Sequence, residues 1–175
     1  VGVLLSVIGP RSDITDTTSY TYYLSTDESG CGTLGGACHR GGDAYQVTDA
    51  AGHVTTNVAY DKIGHLVRQR DANGVITDWT FHARGWLLSR IVRANTDGSP
   101  SARDSVTQYA YSAVGDVIKV TDPDGVSLSY TYDDARRLTD VVDATGNRTH
   151  YVLDSEGNRV QEQFLTSSGD VKSSF

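Results

Sequence analysis

The chain has 175 residues, 38% of them apolar, enough for one domain-sized core or one slice of something larger. Charged residues make up 21% and the net charge is −7, which excludes a disordered acidic tail and a nucleic-acid binder that works by bulk charge. No apolar run approaches the ~18 residues that cross a bilayer, so no membrane span is expected.

Acidic residues divide as 19 Asp to 3 Glu, and basic residues as 12 Arg to 3 Lys. Glu and Lys favour helices, whereas Asp bonds nearby backbone and favours turns. With 19 Thr, 19 Val, 18 Gly and 10 Tyr, this is the composition of strands joined by tight turns. The expected fold class is all-β, with over half of the residues in strands.

The opening Val1–Ile8 run lacks a basic leader and is too short for a secretory segment with its cleavage site. There is no Met at all, and the chain is expected to be a piece of a longer protein. Residues 1–59 hold N-terminal strands and an irregular, turn-rich unit containing Cys31 and Cys38.

From residue 60 to 165 the chain repeats itself. An aromatic-acid-x-x-Gly theme appears at Tyr60-Asp61 to Gly64, Phe81-His82 to Gly85, Tyr132-Asp133 to Arg136, and Leu153-Asp154 to Gly157. Tyr111-Ser112 to Gly115 carries Ser in the acid slot. The steps between glycine slots are 21, 30, 21 and 21, the long one holding a polar insertion at about 94–104. Between these lie Asp49–Gly52, Asp71–Gly74, Asp122–Gly125 and Asp143–Gly146, each with Asp and Gly three residues apart. That is a type I turn closed by a left-handed residue, the loop of a bulged hairpin. Gly64, Gly85, Gly115 and Gly157 are therefore expected at positive φ. Arg136, in a Gly slot, either sits left-handed or changes the turn type.

Strand faces follow from period-two alternation. Val75, Thr77, Trp79 and Phe81 share one face, and Ile76, Asp78 and Thr80 the other; Val126, Leu128, Tyr130 and Tyr132 alternate with Ser127, Ser129 and Thr131. The stretch from Gly52 to Gly64 is one residue longer than its counterparts, and needs a bulge to keep its faces. Residues 166–175 read as a polar tail leading to a next repeat.

The Tyr-Asp-x-x-Gly-x-Leu … Asp-x-x-Gly … Tyr unit resembles the YD repeat of the Rhs family, which includes bacterial polymorphic toxins, insecticidal toxin-complex subunits and teneurins. The resemblance runs from about Gly9 to Leu165, and Ser19–Tyr60, with Cys31, Cys38 and His39, looks like the irregular unit of bacterial Rhs cores. His82, Ser112 and Arg136 depart from the pattern, so their units are expected to be bent or to mark boundaries. The resemblance implies one continuous array of hairpins, a segment of a curled sheet forming a shell. Its structural positions are Tyr60, Asp61, Gly64, Asp71, Gly74, Gly85, Gly115, Asp122, Gly125, Tyr132, Asp133, Asp143, Gly146, Asp154 and Gly157.

No catalytic signature is present: no G-x-S-x-G, H-E-x-x-H, Walker A or G-x-G-x-x-G. Asp122-Pro123-Asp124-Gly125 lacks the further acids of a calcium loop, and its position inside a repeat gives no ground to transfer the family's self-cleaving aspartyl site. Cys31 and Cys38 admit free thiols, a disulfide, or a metal with His39 and Asp43 nearest; no metal or cofactor is expected. His53, His65, His82 and His150 read as lone surface histidines, and the Asn147-Arg148-Thr149 sequon is discounted. Tyr20, Tyr22, Tyr23, Tyr130, Tyr132 and Trp79 could stack sugars but read more simply as strand residues.

What the resemblance implies for function is a non-catalytic wall enclosing a C-terminal toxin domain, secreted or delivered by a bacterial secretion system. The implied partners are neighbouring repeats, the enclosed toxin domain and secretion machinery, with no nucleic acid. A cell-surface adhesion or carbohydrate-binding module, and a hydrolase without a local motif, are the alternatives.

Overall fold

The computed structural model describes residues 3–10, 13, 16–33 and 36–174; Val1–Gly2 of the opening run, Leu34–Gly35 of the cysteine loop and Phe175 of the tail lie outside them. The described residues form strands and turns without helix. Two compact units divide the chain, Val1–Ser105 and Val106–Phe175.

The first unit contains β1 (Ser6–Ile8), β2 (Thr17–Tyr22), β3 (Ala44–Thr48), β4 (Val54–Tyr60), β5 (Leu66–Arg70), β6 (Ile76–Phe81) and β7 (Leu87–Val92). Each pairs antiparallel with the next in chain order. The second unit holds β8 (Ser105–Tyr111), β9 (Val117–Thr121), β10 (Ser127–Tyr132), β11 (Leu138–Val142), β12 (Arg148–Leu153), β13 (Arg159–Leu165) and β14 (Val171–Ser174), paired in the same way. The tail read as merely polar thus contributes a strand, β14.

The turns have one frame. At Asp71–Gly74 the Gly74 N–H donates to the Asp71 carbonyl at 3.0 Å, and the Asp71 N–H to the Val75 carbonyl at 3.0 Å. The Asp71 carboxylate then accepts the N–H groups of Asn73 and Val75 at 2.9 and 2.8 Å, so one side chain satisfies two loop donors. Because the long connections 23–43 and 93–104 add to the short turns, the strands take up just under half of the described residues, not the expected majority.

The three departures from the repeat pattern keep this turn frame, and one of them, Ser112, directly follows β8, where the second compact unit begins. Ser112 Oγ accepts from Val114 and Asp116 at 3.3 and 3.1 Å, and His82 Nδ1 accepts from Arg84 at 3.1 Å, each replacing the carboxylate. Arg136 takes the left-handed conformation itself, at φ 63°, while its guanidinium bonds Asp116 through Nε at 2.9 Å and a terminal nitrogen at 2.6 Å.

The extra residue before Gly64 is absorbed in β4. Asn57 lies opposite Gln69 and Ala59 opposite Arg68, leaving Val58 as a bulge in addition to the register shift next to the turn. Burial concentrates around this point. Ala59, Tyr60, Ile76, Asn57, Arg68, Asp78, Arg93 and Cys38 are buried in the first unit, and among the described residues of the second only Leu165 is. The reason is cover: the first unit has two long inserted loops, residues 23–43 and 93–104, that pack on its strands, and the second has none.

Candidate functional site

The face of β6 that reads as polar is the one the first unit seals. Ile76 and Asp78 are buried, whereas Trp79 and Phe81 on the other face are only half-buried. A buried carboxylate is costly unless paired and hydrogen-bonded. Asp78, 0% exposed, is held by two guanidiniums: Arg68 opposite it on β5, through Nε at 2.5 Å and a terminal nitrogen at 2.7 Å, and Arg93 just after β7, through Nε at 2.6 Å. Arg93 reaches on to Asp104 at 2.7 Å, at the far end of the inserted loop. Asp104 also accepts the backbone N–H groups of Ala94 and Ser101 at 2.9 and 3.1 Å, and Arg68 donates to the Gly98 carbonyl at 3.3 Å. Two cations and two anions thus tie the 93–104 loop to the sheet face from both of its ends.

The electrostatics agree with the geometry. Burial pulls Arg93 down, but the carboxylates of Asp104 and Asp78 outweigh it and leave the guanidinium more basic than usual. The Ala94 N–H, and after it the Arg93 side chain, hold the Asp104 carboxyl below its ordinary range. One terminal nitrogen of Arg93 is buried with no partner.

The Arg68–Asp78 pair belongs to a series. Both residues stand four positions after their turn glycines, and the same position places Gln46 opposite Thr56, Lys119 opposite Ser129, and Asp140 opposite His150. Gln46 bonds Thr56 at 3.2 Å, and the Asp140 carboxylate accepts from His150 Nδ1 at 2.8 Å, with Arg148 3.5 Å away. Sequence reasoning missed this series, although counting four from each glycine slot, Arg136 included, exposes it.

The other inserted loop, residues 23–43, carries the cysteines, which the structure joins in a disulfide. Cys38 is 3% exposed, and its carbonyl accepts the Tyr60 N–H at 2.6 Å. An Asp27–His39 bridge, with both backbone bonds at 2.9 Å, closes the base of the loop. His39 stacks on Tyr23 at 3.7 Å, and Tyr23 donates its hydroxyl to the Asn57 carbonyl at 2.8 Å. Burial, then the neighbouring Tyr45, Tyr60 and Asp43, push the Tyr23 hydroxyl up to about 12. Tyr60, Asn57, Gln69 and the Ala44 carbonyl form one connected polar network beneath it. The loop tip, with Gly30, Gly32, Thr33 and Gly36, faces Val67, Trp79 and Phe81 across a cleft of about 280 Å³.

Of the other sequence-marked residues, the turn glycines Gly64, Gly74, Gly85, Gly115, Gly125, Gly146 and Gly157 all have positive φ. Asp61, Asp71, Asp133, Asp143 and Asp154 each accept loop backbone N–H groups. Gly125 donates to the Asp122 carbonyl at 2.9 Å, and Tyr132 donates its hydroxyl to the Val117 carbonyl at 2.8 Å. These positions are spread over the turns of both units and form no common centre. The histidines are not lone: His53 pairs with Asp49 at 2.9 Å, His65 with Asp61 at 2.8 Å, and His150 with Asp140. The missed signals are that a bulged turn brings residues i and i+4 together, as for His53 and His65, and that Asp140 and His150 face each other across β11 and β12. Among the described residues no three metal-ligating side chains cluster, and no helix is long and apolar enough to cross a membrane.

Residues 60–97 and 111–148 each match the RHS Repeat model. These two stretches are RHS repeats. No curated protein matches the chain. Solved structures do. A Tc holotoxin pore of Photorhabdus luminescens aligns over 89% of the chain at 17% identity and TM-score 0.55, using 9% of that protein. A TcdB2-TccC3 crystal structure aligns over 93% at 17% identity and TM-score 0.57, using 10% of its chain. TcdB2-TccC3 without its hypervariable C-terminal region aligns over 85% at 19% identity and TM-score 0.56, using 7%. At these identities the likeness is one of fold, and the chain spans about a tenth or less of the proteins it matches. Its own role is structural: repeated hairpins, each built on its neighbour.

Proposed function

We propose that this chain is a non-catalytic segment of a shell that encloses a C-terminal toxin domain before its delivery into a target cell. The observation that carries the reading is the use of its polar chemistry. The buried charges of the first unit, Arg68, Asp78, Arg93 and Asp104, are spent on one another, and the repeat carboxylates on turn backbone. That is the chemistry of a wall. The fold likeness to TcdB2-TccC3 structures supports the same reading. Neighbouring repeats would continue the sheet, the cargo would lie inside it, and extracellular delivery by a secretion machine would follow.

The test uses the full-length protein in which this segment occurs. Mild protease should leave its C-terminal domain intact, and Asp78→Asn within the wall should expose that domain to cleavage. A C-terminal domain cut equally fast in both proteins would refute the reading. Glycan-array binding, lost on substitution of an exposed Tyr such as Tyr45, would favour the adhesion module instead.

A further inference from the structure

We propose that Cys31 is a thiol-exchange site, and that opening the Cys31–Cys38 bond by a glutathione-class thiol releases the tip of the 23–43 loop from the β4–β6 face while the sheet stays folded. The two sulfurs are unequally placed. Cys38 is 3% exposed and packed where its carbonyl receives the Tyr60 N–H, whereas Cys31 is only half-buried in a run of exposed turn residues. An incoming thiolate therefore reaches Cys31. It forms a mixed disulfide there, the Cys31–Cys38 bond breaks, and Cys38 leaves with the electron pair and takes up a proton. A second thiol then attacks the mixed disulfide, leaving Cys31 as a thiol and the two external thiols joined as an oxidised dimer. The electrons come from the external thiols, and nothing else is required.

What opens is local because the loop is fastened in two separate places. Its base is held without the disulfide, by the Asp27–His39 bridge, the His39–Tyr23 stack, the Gly42 N–H on the Tyr23 carbonyl at 2.8 Å, and Arg40 on the Lys62 carbonyl at 2.5 Å. Among the described residues the tip has little else beside the disulfide and the Tyr60 N–H on the Cys38 carbonyl at 2.6 Å. It has the Gly30 N–H on the Ala37 carbonyl at 3.1 Å, and a backbone approach so close that a Cβ on Gly30 would lie 2.2 Å from that same oxygen. Four of the residues facing the cleft from the tip side are Gly30, Gly32, Thr33 and Gly36, with almost no side chain to anchor them on Trp79 or Phe81. Once the cross-link is gone, chain entropy favours lifting the tip.

Amide hydrogen exchange on the chain, oxidised and then reduced with glutathione, tests this. Reduction should speed exchange at Gly30 and Tyr60 at least tenfold and leave the Arg68 and Asp78 amides as they were. Unchanged exchange at Gly30 and Tyr60 would overturn the release. An equal rise at Arg68 and Asp78 would also overturn it, since the bond would then hold the whole unit. Exposure of the single-thiol variants to oxidised glutathione tests the entry point. Cys38→Ser, which keeps Cys31, should form the mixed disulfide at least tenfold faster than Cys31→Ser; equal or reversed rates would refute the assignment. Should either variant fail to fold, peptide mapping of the acid-trapped native chain reads the same point, with the adduct expected on Cys31 and one on Cys38 refuting it.

Discussion

Replacing Asp78 with Asn keeps its shape and removes its charge. The carboxylate has no contact with water and receives three charge-assisted hydrogen bonds, two from Arg68 and one from Arg93. Each such bond contributes ~1.5–3 kcal/mol, but they share one anion and do not add. The larger effect is what remains: two guanidiniums whose side chains are 11% and 3% exposed, with only Asp104 to balance them. Breaking a buried pair by removing one partner costs about 3–5 kcal/mol, a large part of a domain's ~5–15 kcal/mol. With a urea slope near ~2 kcal/mol per molar, the midpoint should fall by about 2 M. Trp79, next to Asp78 on β6, reports the transition by its fluorescence. The double variant Arg68→Met with Asp78→Leu removes cation and anion together and keeps the Arg93–Asp104 pair, so it should regain most of the loss. An Asp78→Asn cost below ~1 kcal/mol, or a double variant as damaged as the single one, would refute the view that a charge lock holds the inserted loop.

Three further outcomes are expected. The amide of Asn147, followed by the Thr145 hydroxyl, holds the Asp143 carboxyl at about 2, and Asp49, Asp133 and Asp154 are lowered for related reasons, led by His53, the Arg137 N–H and Asn158 in turn. Folded values below the unfolded ones mean stability that is complete above about pH 4 and lost as pH falls toward about 2. A melting temperature flat across that range would contradict this, and Asn147→Ala should move the Asp143 titration upward by carbon NMR. Gly64→Ala, with open space around its Cβ, should cost ~1 kcal/mol through its positive φ alone. Gly98→Ala should cost clearly more in the same denaturation assay, because its Cβ would also meet Ile76 at 2.9 Å. Arg136→Gly should melt higher than Arg136→Ala, since both lose the Asp116 contact but only Gly relieves the left-handed backbone.

The turns were legible because their chemistry is local: Asp, then Gly three residues later, satisfies the loop without help from elsewhere. The bulge at Val58 was legible by counting. Burial was not. Alternation in β6 separates the face of Trp79 and Phe81 from that of Asp78 without saying which is sealed, because Arg93 and Asp104 arrive through a loop whose landing place no periodicity encodes. The histidine partners were missed for a smaller reason. Asp61 and His65 are four apart in sequence and adjacent only once the turn is drawn in three dimensions.

The paired positions four residues beyond each glycine slot bear on how near-identical hairpins avoid exchanging partners. The polarity alternates between copies: Arg68 faces Asp78 in one, Asp140 faces His150 in another. If β5 were to marry β12 in the same register, Arg68 would meet His150, and β11 on β6 would set Asp140 against Asp78. One mismatch lacks an anion and the other doubles it in a place where like charges opposite each other are penalised. These two hairpins therefore each carry a key that does not open the other's lock, a penalty on partner exchange written into one position of the repeat.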